Sequence, residues 1–254
     1  MIRRDTVGEG GSAAWLLIRQ IEHARLSAAL ARHWRFWPEA KFSSIRNHLL
    51  DAVHHHDDGW LDWDNDPTLR QTDGAPLSFL EMPIDASLAI MTESIRRATL
   101  LGPLAGYVVA GHFLYLRGKS AAAAGERVRQ WSARTETERD FLLSQWQNES
   151  PELHTPAVAS EALQWLQIWD ALSLWFCCVE PHSKYEATLP DQTLITFRPA
   201  GGGRVDVIPW VFHERELQVG VQAIQCPAER HSSAAALMAD RGQTLKLRWL
   251  LTSI

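Results

Sequence analysis

The chain has 254 residues, 46% of them hydrophobic and 22% charged, with a formal net charge of -5 at pH 7. That is enough apolar material for one large domain, or for one domain with an appendage. The acidic balance lacks the basic footprint of a protein whose main partner is a nucleic-acid polymer.

Three cysteines, Cys177, Cys178 and Cys226, outline no disulfide framework and point to a reducing cytoplasm. The opening MIRRDTVGEGG lacks the apolar run of a signal peptide. The most apolar stretch, 162–179, is interrupted by Gln164, Gln167 and Asp170, so a buried helix is expected there and no membrane partner. Most of the twelve tryptophans are expected in the core.

In chain order, residues 1–19 read as a β-hairpin turning at the glycine-rich GEGG. A helix follows over 21–34, and another over 42–56 with the stripe Phe42, Ile45, Leu49, Ala52 and His56; Gly59 is expected to end it. Residues 58–85 read as a long acidic loop, the kind that often binds ligands. Helices are then expected over 86–100, 103–116, 121–147 and 156–179, with Pro103 and Pro156 in first turns. After Pro190 the pattern changes to strands over 194–198, 205–210, 217–224 and 245–252, with a glycine turn at 201–203. The expected fold class is mostly α: a helical body over 20–182 and a small β-subdomain over 190–254, with the 1–19 hairpin as an optional part. Exposed edges of that subdomain would need covering, which a homodimer would do.

Polar groups stand alone on several apolar helices. Asp170 is the one charged residue between Glu161 and Glu180. A buried, unpaired carboxylate costs several kcal/mol, so it must be protonated, paired or metal-bound. His112 is similarly isolated in PLAGYVVAGHFLYLR, and His23 shares a side of its helix with Leu26 and Leu30. A further helix ends in HHHDDGW at 54–60, which supplies His56 and Asp57. Taken singly, each has an ordinary reading: a core histidine bonded to a carbonyl, an ion-paired aspartate, a solvated helix end. Taken together, one divalent cation would satisfy several of them at once. His33, His48, His154, His182 and His231 read as surface residues, and His213 is not expected at the site.

These residues resemble the pattern of the HD-domain superfamily: a histidine on an early helix, a His-Asp pair at a helix end, and a distant aspartate in a late helix. Gly59, two places after Asp57, and Asp170-Ala171-Leu172 fit it as well. Over nearly its whole length the chain also resembles a bacterial family called domain of unknown function 3891. The stretches that carry this are LLIRQIEHARLSAALARHW, AVHHHDDGWLDWDNDP, the His112 helix, IWDALSLWFC and VIPWVF. The resemblance implies an HD-domain-like helical bundle with His23, His56, Asp57 and Asp170 as metal ligands. It implies for His112 a role on a second metal or on a phosphate. The chain departs from two-metal members in having no histidine between Asp57 and His112, and Trp60 stands where many phosphohydrolases place a lysine.

A mixed His/Asp set suits manganese, iron, nickel or zinc. The expected function is a metal-dependent phosphohydrolase that attacks a nucleotide or other small phosphate ester with metal-activated water. Asp58 is a candidate base beside the ligand pair, His112 a candidate donor to a substrate oxygen, and Trp60 and Trp63 candidate stacking surfaces. The alternatives are a non-catalytic binder that keeps the fold and a non-haem iron oxygenase.

Overall fold

The computed structural model describes residues 1–35, 42–118, 125–178, 183–239 and 242–254. Strands β1 (Ile2–Val7) and β2 (Ala13–Ile18) form the expected antiparallel hairpin, with Ile2 opposite Ile18 and Val7 opposite Ala13. Helices α1 (Gln20–His33) and α2 (Arg46–His55) follow. The acidic stretch then forms a short 3-10 helix over Asp58–Trp60 and one short α-helix, α3 (Leu61–Asn65). The helical series continues with α4 (Ile84–Thr99), α5 (Pro103–Gly118), α6 (Glu126–Glu149) and α7 (Pro156–Cys178). Residues 121–124 and 179 of the expected helices, and His182, fall outside the described residues.

Burial follows the helical period. In α4 the buried stripe includes Leu88, Met91, Ile95 and Ala98; in α6 it is only Trp131, Thr135, Leu142 and Trp146, as suits a helix at the outside. Helix α5 is buried on every side from 104 to 113, which places it at the centre of the helical layer. Trp34 on the aromatic side of the core meets Trp165, Trp169 and Phe212 edge-on.

The C-terminal strands are β3 (Tyr185–Thr188), β4 (Leu194–Gly201), β5 (Arg204–Ile208), β6 (Glu216–Pro227) and β7 (Gln243–Ser253), with a short helix α8 (Ala234–Ala239) before the last. Gly201, Gly202 and Gly203 all have positive φ, as the expected turn requires. The seven strands form one sheet in the order β1-β2-β6-β7-β5-β4-β3. Its pairs are antiparallel except β5 with β7, which run parallel.

This corrects the expected fold class. The architecture is not a mostly α, HD-domain-like bundle with a small β-subdomain; it is a helical layer packed on a seven-stranded, curled mixed sheet built from both ends of the chain. The physical reason lies in one-sided burial. In β6, Leu217, Val219, Val221 and Ala223 alternate with more exposed residues, and their buried face belongs to the same apolar cluster as Trp169 and Phe176 of α7. Phe176 packs on Trp249 of β7 with ring centroids 4.9 Å apart. Helices and strands thus share the main core, while Met1, Trp15, Leu17, Ala75, Cys226 and Leu237 form a second, smaller cluster that takes in the other face of β2. Among the described residues, no helix is long and apolar enough to cross a membrane.

Two histidines expected at the surface are not there: His154 stacks on Trp146 and bonds its carbonyl, and His231 is buried near Trp15. His33 pairs with Glu214 at 2.7 Å, and the backbone N–H of His213 donates to His33, well apart from the centre described next.

Candidate metal centre

Four elements deliver the six groups that matter. Helix α1 carries His23; the end of α2 carries His56 and Asp57; α5 carries His112; α7 carries Asp170 and Ser173. All are buried. Nδ1 of His56 donates to the carbonyl oxygen of Val53 at 2.7 Å, one turn back in its own helix. Nδ1 of His23 lies 2.8 Å from Ser173 Oγ. With the Ser173 hydroxyl proton on the Asp170 carbonyl at 2.8 Å, the imidazole is the donor, which is the tautomer that leaves Nε2 for a metal. Ser27, one turn after His23 on α1, adds a bond to Ser173 Oγ at 2.7 Å. In that arrangement both histidines are held by their Nδ1–H, and both present Nε2 to the carboxylates.

Nε2 of His23 is 2.8 Å from Asp57 Oδ2 and 3.8 Å from Asp170 Oδ1. Nε2 of His56 is 3.3 Å from Asp170 Oδ1 and 3.9 Å from Asp57 Oδ2. Ligand atoms bound about 2.1 Å from one metal stand roughly 3.0–3.4 Å apart, so these spacings match a shared cation with small adjustments. One donor atom each from His23, His56 and Asp170 lies within 4.8 Å of the other two, and Asp57 flanks that trio. Nitrogen and carboxylate donors, tautomers set from behind and burial together fit a divalent transition metal.

The electrostatics agree. Burial works against charge on His56, but the Asp57 carboxylate and the bond to Asp170 prevail and hold the imidazole up at about 9. Burial also disfavours ionised Asp57 and Asp170, yet the surrounding imidazoles bring both below the ordinary carboxylate range. His112 goes the other way: burial brings it down to about 4, because Asp170 offsets too little. Its Nε2 is 3.8 Å from Asp170 Oδ2, beyond hydrogen-bond reach, and its buried Nδ1 has no partner among the described residues. His112 is thus a neutral imidazole with hydrogen-bonding capacity to spare.

Two cavities meet at the centre. One, of about 380 Å³, touches His23, Asp57, Trp60, His112, Arg117 and Asp170. The other, of about 560 Å³, reaches His112 and Asp170 past Tyr115 and Gln167. Trp60 is a buried wall of the first cavity. Trp63 is half-buried and lines neither of these two cavities. Asp58 also lies apart from them; it accepts a 2.8 Å bond from His55 Nδ1.

Asp64 and Ser173 escaped the sequence, and Gly59 has another reason than the one expected. Gly59 sits so close to α4 that a Cβ there would lie 2.2 Å from the Ile90 carbonyl oxygen, and its N–H donates to Ser94 Oγ at 3.0 Å. Its φ is not positive; close approach, rather than a left-handed helix end, explains it. Asp64 is buried, accepts the Gln20 N–H at 2.7 Å and pairs with the Met1 ammonium at 3.0 Å, which pins the first turn of α1 just before His23. Ser173 could have been suspected from its place one turn after Asp170, the periodicity that puts both on one face.

No curated protein sequence and no solved structure matches the chain. A family model does, over residues 1–227, and those residues contain all the side chains of the centre. The chain belongs to the family described as Protein of unknown function (DUF3891).

Proposed function

We propose that this protein is a metal-dependent phosphohydrolase acting on a nucleotide or another small phosphate ester. The observation that carries the reading is the pair of histidines fixed through Nδ1, their Nε2 atoms converging with two carboxylates beside a cavity. The order His23, His56-Asp57, Asp170 is similar to that of the HD-domain superfamily, and the resemblance is claimed for the ligand set rather than for the architecture. A divalent cation held there would acidify a bound water and polarise a phosphoryl oxygen. His23, His56, Asp57 and Asp170 are assigned to hold it. Neutral His112 donates a hydrogen bond to a substrate oxygen, and Trp60 forms an apolar wall that excludes water. Asp58, tied to His55, receives no catalytic role. A cytoplasmic setting goes with this reading, there being no disulfide among the described residues.

The test uses protein prepared without a histidine tag, analysed for metal, then loaded with manganese, iron, nickel or zinc. Loaded protein should release phosphate from some member of a panel of nucleotides and simple phosphate esters; chelated protein and folded Asp57→Ala should not. Equal release with and without metal, or none across the panel, ends the reading. One observation favours a non-catalytic binder instead: His23 and Asp57 already pair at 2.8 Å, so the cluster has internal partners of its own. Tight metal retention with no turnover on any ester would select that reading.

A further inference from the structure

We propose that Arg117 is the anion-binding residue of the 380 Å³ cavity, and that the cavity takes a small molecule with a phosphate group on an apolar or aromatic body. This deepens the phosphohydrolase reading and rests on it for the identity of the site.

Arg117 lies in the last turn of α5 and lines the same cavity as His23, Asp57, His112 and Asp170. It follows His112 by five residues, or about 7–8 Å along the helix axis. Other arginines find carboxylates: Arg3 and Arg70 on Glu81, Arg96 and Arg97 on Glu93, Arg129 on Glu126. Among the described residues Arg117 has no such partner, and its Nε is buried without a hydrogen bond. Burial alone draws its guanidinium below the usual value, and no neighbouring carboxylate offsets that. A guanidinium stays charged under such conditions, and its planar fork matches a phosphate bidentately.

Charge balance points the same way. Asp57 and Asp170 together neutralise one divalent cation. With neutral imidazoles, the remaining formal charge among the described residues that line the cavity is that of Arg117. Among the described residues, the 560 Å³ cavity on the other side of His112 and Asp170 has no lysine or arginine in its lining. An anion therefore has reason to enter from the Arg117 side. Phe79, Met82, Met91 and Phe113 give that cavity its apolar walls, suited to the uncharged part of the ligand.

The experiment titrates the full chain with phenyl phosphate, inorganic phosphate and phenol, calorimetrically, in metal-loaded and chelated forms. Phenyl phosphate should bind wild type, and Arg117→Gln should weaken it roughly tenfold or more while metal content stays unchanged. Phenol should be indifferent to the substitution. Arg117→Lys keeps the charge but loses the fork and should fall between the two, which also serves if the glutamine variant folds poorly. No binding of phenyl phosphate by wild type in either form overturns the proposal, as does an affinity in Arg117→Gln within about twofold of wild type. Arg117-dependent binding by a protein that holds no metal and hydrolyses no ester would uphold the anion site while removing the phosphohydrolase reading.

Discussion

Ser173 Oγ stands 2.8 Å from His23 Nδ1 while its own proton goes to the Asp170 carbonyl, so one hydroxyl orients an imidazole on α1 from a helix 150 residues later. Replacing it by alanine leaves a buried imidazole N–H unpartnered and frees the ring to turn. Ser173→Ala should bind metal about 10–100-fold more weakly, as loss of an outer partner commonly does. It should cost roughly 1–3 kcal/mol in stability. Competition against a chromogenic chelator and a denaturant titration read the two effects separately; unchanged metal affinity would mean Ser173 only packs.

Asp170→Asn preserves shape and removes charge. Bound metal, measured by elemental analysis after dialysis, should fall to a small fraction of wild type with helix content intact. His56 would lose one of the two carboxylates that keep its proton. Its pKa should therefore fall from about 9, which histidine NMR titration in the metal-free protein can follow.

Metal affinity should depend on pH through His56. Its Nδ1 remains bonded to Val53, so ligation by Nε2 requires the proton there to leave. With the imidazole held at about 9, binding at neutral pH releases that proton, and His56 contributes about a tenfold gain in affinity per pH unit until about 9. His112, held down at about 4, releases none near neutrality. Calorimetry in buffers of different ionisation enthalpy counts the protons. The same group links to folding. A folded value of about 9 above the ordinary 6.5 gives a contribution complete below 6.5 and lost as pH rises through 9, in the metal-free chain.

Gly59→Ala should destabilise by about 2–4 kcal/mol, because the new methyl meets backbone of α4 on two sides, Ile90 O at 2.2 Å and Ser94 N at 2.6 Å. Relief requires the turn after Asp57 to move off α4, so metal affinity should fall together with the denaturation midpoint. A stability change under about 0.5 kcal/mol would show that the turn tolerates the shift.

Asp64→Ala removes the acceptor of the Gln20 N–H and leaves the buried Met1 ammonium without its counter-ion. Burial draws both groups toward their neutral forms, so the loss is that of buried hydrogen-bond partners, about 1–3 kcal/mol. Hydrogen exchange should locate the loosening at the start of α1, three residues before His23. Protection unchanged there would assign the helix start to packing alone.

Much of the centre was legible in the sequence, because polar residues that break an apolar helical stripe must find partners on burial. That logic singled out Asp170, His112 and His23 and set them beside His56 and Asp57. It singled out neither Asp64, one acid in an acidic run, nor Arg117 at the end of the His112 helix. It also misjudged Gly59, whose need is for space against another helix. The strands illustrate the same boundary. Alternation in 217–224 and 245–252 marked each strand. The short YEAT strand, four residues at 185–188, was missed, being too brief to show a period.

By itself, the sequence determined the local elements and the inward-facing polar groups, since helical and strand periods are properties of neighbouring residues. Only the tertiary structure decided that β2 pairs with β6 two hundred residues away, which makes one sheet and puts Leu16 and Ile18 in the main core and Trp15 and Leu17 in a second cluster. It alone also decided which nitrogen each histidine turns to the carboxylates. Both outcomes depend on contacts between distant segments, where hydrogen-bond geometry and shared burial select among partners that the local pattern leaves equivalent.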